Sequence, residues 1–157
     1  MRSVMIEFHT VEDILKFVLA RVIFSEKIYR RLADSVENTA AQAIFLALAQ
    51  AEERQRKKIE MELYKIGLTV SEPDVSELTE KEEWPEWKFL AKRMLIQDAF
   101  ELAIQRQRES FHLFAEWMGK ADKPEIADIF FQLSQEEMRH LLQLEKEYKS
   151  IFPERTV

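Results

Sequence analysis

The chain repeats itself. At a constant offset of 85 positions, Glu52-Glu53-Arg54-Gln55 falls on Glu137-Met138-Arg139-His140. The same offset pairs Ile44 with Ile129, Phe45 with Phe130, Leu48 with Leu133, Gln50 with Gln135, Glu60 with Glu145 and Ile66 with Ile151. Weaker matches, Asp13/Asp98, Arg21/Arg106 and Ser25/Ser110, extend it toward the N-terminus without a gap. A single offset over that length means two copies of one supersecondary unit, so the fold must accommodate a duplicated pair of elements. The downstream copy carries Glu-x-x-His, the upstream copy Glu-x-x-Gln. Carboxylate and imidazole three residues apart lie on one helix face, the arrangement with which helical bundles hold metal ions.

The elements are helices. Only 2 Gly and 4 Pro punctuate 157 residues, and the abundant residues are mostly strong helix formers. We read four helices, at about 11–36, 40–66, 85–119 and 123–151, within one domain spanning 1–157. Thr10 followed by Asp13, and Thr39 followed by Gln42, resemble capping boxes. Gly67 supplies a C-terminal stop, and Pro85 and Pro124 suit first turns. Short links within each helix pair imply antiparallel hairpins. The acid-rich stretch of about 67–84 is the long crossover between them, with Trp84 and Trp87 expected to pack it down. The expected fold is an all-α, ferritin-like four-helix bundle of two antiparallel hairpins joined by one long crossover.

Composition narrows the chemistry. A net charge of -6, with 33% charged residues, opposes nucleic-acid binding. No apolar run approaches the roughly 20 residues that span a bilayer, and Glu7 and His9 interrupt any signal-peptide core, so a cytoplasmic protein is expected. With 0 Cys, thiolate metal sites and Cys-ligated iron centres are excluded. A metal would be held by oxygen and nitrogen, with no haem and no iron–sulfur cluster.

Polar residues interrupt the apolar stripes. The expected stripes are Leu15, Leu19, Val22, Tyr29 and Leu32 on the first helix, and Ile44, Leu48, Ile59, Leu63 and Ile66 on the second. The third carries Phe100, Ala103, Gln107, Phe114 and Trp117, and the fourth Ile129, Leu133, Leu144 and Tyr148. Glu52 and Gln55, and Glu137 and His140, fill the missing steps of the second and fourth. One interior level should therefore meet Val22, Glu52, Gln55, Gln107, Glu137 and His140, of which all but Val22 are polar. Two readings stand: a shared metal ion, or a metal-free network in which Gln55 and Gln107 donate to the carboxylates and His140 is protonated.

These residues resemble the rubrerythrin branch of the ferritin-like superfamily over about 11–151. The family's second and fourth helices carry Leu-Ala, then Glu-x-x-His; here Leu48-Ala49 precede Glu52, and Leu133-Ser134 precede Glu137 and His140. Its first and third helices carry Glu-x-x-Ala before an aromatic pair; here that frame reads Val22-x-x-Ser25 ending at Tyr29, and Gln107-x-x-Ser110 ending at Phe114. The resemblance implies a centre of two irons that reduces peroxide or oxidises iron. Residue by residue, Glu52, Glu137 and His140 match that ligand set, and Val22, Gln55 and Gln107 do not.

Charge decides what such an incomplete set can hold. Two carboxylates balance one divalent ion, whereas two such ions would leave excess positive charge in a low-dielectric core. We expect one divalent ion per chain (iron, manganese or zinc) on Glu52, Glu137 and His140, with Gln55 or Gln107 lending an amide oxygen and weak iron or peroxide oxidoreductase activity. Glu26, one turn past Val22, is a further candidate ligand, but its i, i+4 spacing to Arg30 favours a surface ion pair. His9 and His112 read as structural, the latter facing Glu116. The alternative function is a metal-free, non-enzymatic scaffold or binding module. A homodimer is expected, since two-fold dimers are the commonest assembly.

Overall fold

The computed structural model describes residues 10–69 and 93–154. They form four helices and no strand: α1 (Val11–Ser35), α2 (Thr39–Lys65), α3 (Ile96–Lys120) and α4 (Pro124–Ile151). The fold class is all-α, as the composition dictates. The crossover beyond Thr69, together with Trp84, Pro85, Trp87 and His9, lies outside the described residues. No described helix is long and apolar enough to cross a membrane.

The helix ends show which local signals operate. Thr10 Oγ1 accepts from the Asp13 backbone N–H at 3.1 Å, the expected cap of α1. At α2 the cap moves back one residue from expectation: Asn38 Oδ1 accepts from Ala41 N–H at 2.9 Å, and Thr39 is already helical. Asn outranks Thr as a cap. Gly67 stops α2 as expected, at a φ of 85°. Its N–H donates to Tyr64 O and that of Leu68 to Leu63 O, a Schellman pair satisfying two terminal carbonyls. α3 begins at Ile96, since residues 93–95 are not helical and Leu95 adopts extended geometry (ψ 140°), and Asp98 lands in the first turn, where an acid suits the helix dipole; the expected start near Pro85 lies outside the described residues. α4 is preceded by Lys123 rather than Asp122 as cap, with Pro124 opening the helix.

Contacts divide the chain into two compact units. One comprises Met1–Ser35 and Gln42–Lys92; the other comprises Val36–Ala41 and Arg93–Val157. In the first, ion pairs fix the sense of the α1–α2 hairpin. Arg30 meets Glu53 at 3.3 Å and Glu26 meets Arg56 at 3.6 Å, so one number falls as the other rises and the helices are antiparallel. In the second, Phe100 packs edge-on to Tyr148 (6.1 Å between centroids), Arg108 pairs with Glu145 (2.9 Å), and Trp117 meets Phe130 edge-on (5.5 Å). That is again an antiparallel order. Edge-to-face pairs add about 0.5–1.5 kcal/mol each beyond area burial.

Burial repeats at the offset of the sequence. Buried partners include Leu15/Phe100, Val18/Ala103, Phe45/Phe130, Leu48/Leu133, Ile59/Leu144, Leu63/Tyr148 and Tyr29/Phe114. The expected stripes need four corrections. Ile44 and Ile129 are half-buried, and their neighbours Phe45 and Phe130 occupy the core instead, at 0% and 1% exposure. The larger rings take the inward position, advancing each stripe by one residue. Ile66 is 53% exposed, because it falls beyond the last helical residue in the Schellman turn. Trp117 is half-buried near the end of α3.

The cap assignment carries a direct test. Asn38→Ala should cost about 1 kcal/mol of unfolding free energy, whereas Thr39→Ala should change it by less than about 0.5 kcal/mol; urea denaturation followed by far-UV circular dichroism reads both.

Candidate metal centre

Most of the polar residues that interrupt the apolar stripes are buried. Glu52 is 2% exposed, in the α2 stripe between Ala49 and Ile59. Glu137 and His140 are 4% and 7% exposed, between Leu133 and Leu144 on α4. Gln107 is 1% exposed on α3, and Val22, its counterpart on α1, is 3% exposed. Gln55 departs from expectation: it is only half-buried, although His140, the residue at the same place in the second copy, is buried.

Glu52, Glu137 and His140 form a group of acidic and imidazole side chains suited to a metal. Each offers one ligand atom, and the three atoms lie within 4.8 Å of one another. At metal–ligand lengths of about 2.0–2.2 Å, two ligands of one ion stand no more than roughly 4.4 Å apart. The donors are two carboxylates and one imidazole, a hard-to-borderline set suited to iron, manganese or zinc. Their formal charge of two negatives matches a single divalent ion. By donor chemistry, the three residues are of the types that hold a divalent ion.

Glu26 is engaged elsewhere. Its carboxylate lies 3.7 Å from Arg30 and 3.6 Å from Arg56, and Arg30 also bridges to Glu53. Two guanidiniums thus compensate this carboxylate, whose side chain is 12% exposed. The surface ion-pair reading of Glu26 holds, extended by Arg56, which the sequence pattern did not reveal because it lies on the next helix. His112 is exposed and stacks edge-on to Phe111 at 5.5 Å. Its expected partner Glu116 accepts from Lys120 instead, at 2.8 Å.

His140 has a carboxylate neighbour along its own helix. Its Nε2 lies 3.9 Å from Glu136 Oε1, one turn earlier. That is beyond hydrogen-bond length. Glu136 is itself held by Arg139 at 2.8 Å.

The sequence reading assigned no role to two buried arginines. Arg21 and Arg106 are 9% and 8% exposed, each directly preceding Val22 and Gln107. Both engage other groups. Ser25 and Ser110, also related by the offset, are likewise buried. The repeat was the available signal: a charged type kept in both copies beside a core position marks a buried cation.

Comparison with known proteins agrees with this arrangement. The family model described as Rubrerythrin matches residues 18–148, most of the chain and all of the buried polar residues named above. Helix content, duplicated hairpins and a buried carboxylate–imidazole group define a ferritin-like protein. Within that class, the chain belongs to the rubrerythrin family. No curated protein and no solved structure matches it.

The ion-pair lattice around Glu26 is partly exposed, so its contribution is small. Glu26→Gln should lower stability by less than about 1 kcal/mol, and the difference should shrink in 1 M salt, where screening is strong; denaturant midpoints at two ionic strengths read this.

Proposed function

We propose that this chain is a rubrerythrin-family protein whose site is reduced to one divalent ion per chain, held by Glu52, Glu137 and His140. The observation that carries the reading is the proximity of their three ligand atoms, all on buried side chains. A carboxylate taken out of water costs several kcal/mol unless a cation compensates it. One divalent ion compensates both at once.

The residues at the other family ligand positions limit the site. Val22 offers no donor atom. Gln107 offers a neutral amide oxygen, which completes a coordination shell without adding charge. Gln55, half-buried, is the second amide at the margin. Glu26 contributes nothing, being committed to Arg30 and Arg56. With two formal negatives, a second divalent ion would leave uncompensated charge in the interior. The site is therefore a degenerate version of the two-iron centre implied by the family resemblance.

Bound iron or manganese would supply one-electron redox chemistry, and zinc Lewis acidity. The protein's own groups do the rest. Glu52 and Glu137 fix the charge, and His140 provides the nitrogen donor. Leu48 on α2, and Leu133 and Leu144 on α4, are buried apolar neighbours along the helices that carry the ligands. Weak oxidation of iron or reduction of peroxide is the activity that such an iron-loaded site supports. A cytoplasmic location accords with the sequence pattern.

The second reading is a metal-free scaffold, favoured by Val22 and Gln107 in place of acids. The two differ in a measurable way. Protein purified without added metal should carry close to one divalent ion per chain by elemental analysis, and Glu137→Ala should abolish it while Glu26→Gln leaves it unchanged. A chelator should lower the melting temperature of the wild type, because an ion bound only to the folded state adds stability. Metal content that is unaffected by Glu137→Ala overturns the proposal.

A further inference from the structure

The two copies of the hairpin differ by one complete set of charges. On α1 and α2 the first copy carries Glu26, Arg30, Glu53 and Arg56. At the offset of 85 the second copy carries Phe111, Ala115, Met138 and Leu141. Two acids and two bases in one copy thus stand where four apolar residues stand in the other. The four charges belong to one lattice. Arg30 meets Glu26 at 3.7 Å and Glu53 at 3.3 Å, and Arg56 meets Glu26 at 3.6 Å. A neutral set that is whole in one copy and wholly absent from the other behaves as a unit.

Two members of the set stand beside the metal centre. Glu26 follows Val22 by four residues on α1, and Arg56 follows Glu52 by four on α2. Each therefore lies one turn further along the same helix face. Helical side chains lean toward the N-terminus of their helix, so both lean back toward the level of Val22 and Glu52. The Glu26 side chain is 12% exposed and that of Arg56 31%. Arg56 is held loosely for a residue so placed. It lies 3.6 Å from Glu26 and 3.6 Å from Glu60, both beyond hydrogen-bond length, and its buried Nε has no hydrogen-bond partner. A buried guanidinium nitrogen without an acceptor is a cost that an ordinary surface ion pair does not carry.

We propose that Arg56 is a positioning residue that holds the Glu26 carboxylate out of the metal shell, and so limits that shell to two carboxylates. The inference rests on the one-ion reading of Glu52, Glu137 and His140. Glu26 is an oxygen donor of the type that iron, manganese and zinc accept. It stands on the helix whose own family ligand position, Val22, has no donor. Paired with Arg56 and Arg30, its charge is already compensated. Released, it brings a third carboxylate to the ion and takes the place of the donor that Val22 lacks. Arg56 thereby sets the strength and selectivity of the centre. With the pair intact, two negatives match a divalent ion; with it broken, three carboxylates bind more tightly and favour a more highly charged ion. In the second copy Phe111 and Leu141 offer no carboxylate to restrain.

Calorimetric titration of the metal-free, full-length protein with zinc(II) tests this. The wild type should bind one ion, and Arg56→Gln should bind zinc(II) roughly tenfold or more tightly. Glu26→Gln alone should leave the affinity unchanged, whereas Glu26→Gln added to Arg56→Gln should return it to the wild-type value. A general effect of local charge would instead weaken binding in Glu26→Gln alone. Arg56→Lys keeps the charge and should keep wild-type affinity. The pair is partly exposed and adds little stability, so all variants should retain native circular dichroism. If the wild type binds zinc(II) and Arg56→Gln binds it no more tightly, or if the gain survives Glu26→Gln, the role of Arg56 is overturned while the one-ion site stands. If only Arg56→Gln binds, the one-ion reading fails and the restraint is supported. Binding by neither overturns both.

Discussion

Two carboxylates removed from water inside otherwise apolar helix stripes set the terms for this protein. Glu52 and Glu137 are 2% and 4% exposed. Such groups are tolerated only when a cation or hydrogen-bond donors compensate them. Both readings of the protein, metal site and polar network, are answers to that one constraint. The spacing of the ligand atoms of Glu52, Glu137 and His140 is what gives weight to the first.

Duplication made that constraint recur. Each hairpin places the same burial pattern at the same offset, down to matched arginines (Arg21, Arg106) and serines (Ser25, Ser110). The scaffold stayed symmetric while the chemistry diverged. Val22 corresponds to Gln107, Gln55 to His140, and Glu26 to Phe111. Each difference removes a charge or a nitrogen from one copy only. Val22 and Gln107 remain buried through their exchange. Packing can therefore outlast the loss of ligands, because apolar burial of about 25 cal/mol per Å² does not depend on them.

Outside the core the copies obey different pressures. The face of α2 that bears Glu53 and Lys57 is knitted into ion pairs with α1. The same face of α4 is apolar at Phe131 and Leu142. In one copy the exposed stripe carries ion-paired charges, and in the other apolar side chains. Divergence of surface and divergence of site are separable outcomes of one duplication.

The sequence alone determined the helical class, the duplicated hairpins, the cap at Thr10, the stop at Gly67 and the identity of the buried polar residues Glu52, Gln107, Glu137 and His140. These follow from local periodicity and composition, which act over a few residues. It misjudged the inward residue at Phe45 and Phe130 and the cap at Asn38, because neighbouring candidates with similar propensity are separated by packing. Only the tertiary structure committed Glu26 to Arg56 and left Gln55 half-buried, since both outcomes depend on which side chains arrive from another helix. Periodicity states which face a residue shares; the partner it finds there is decided by the way helices meet.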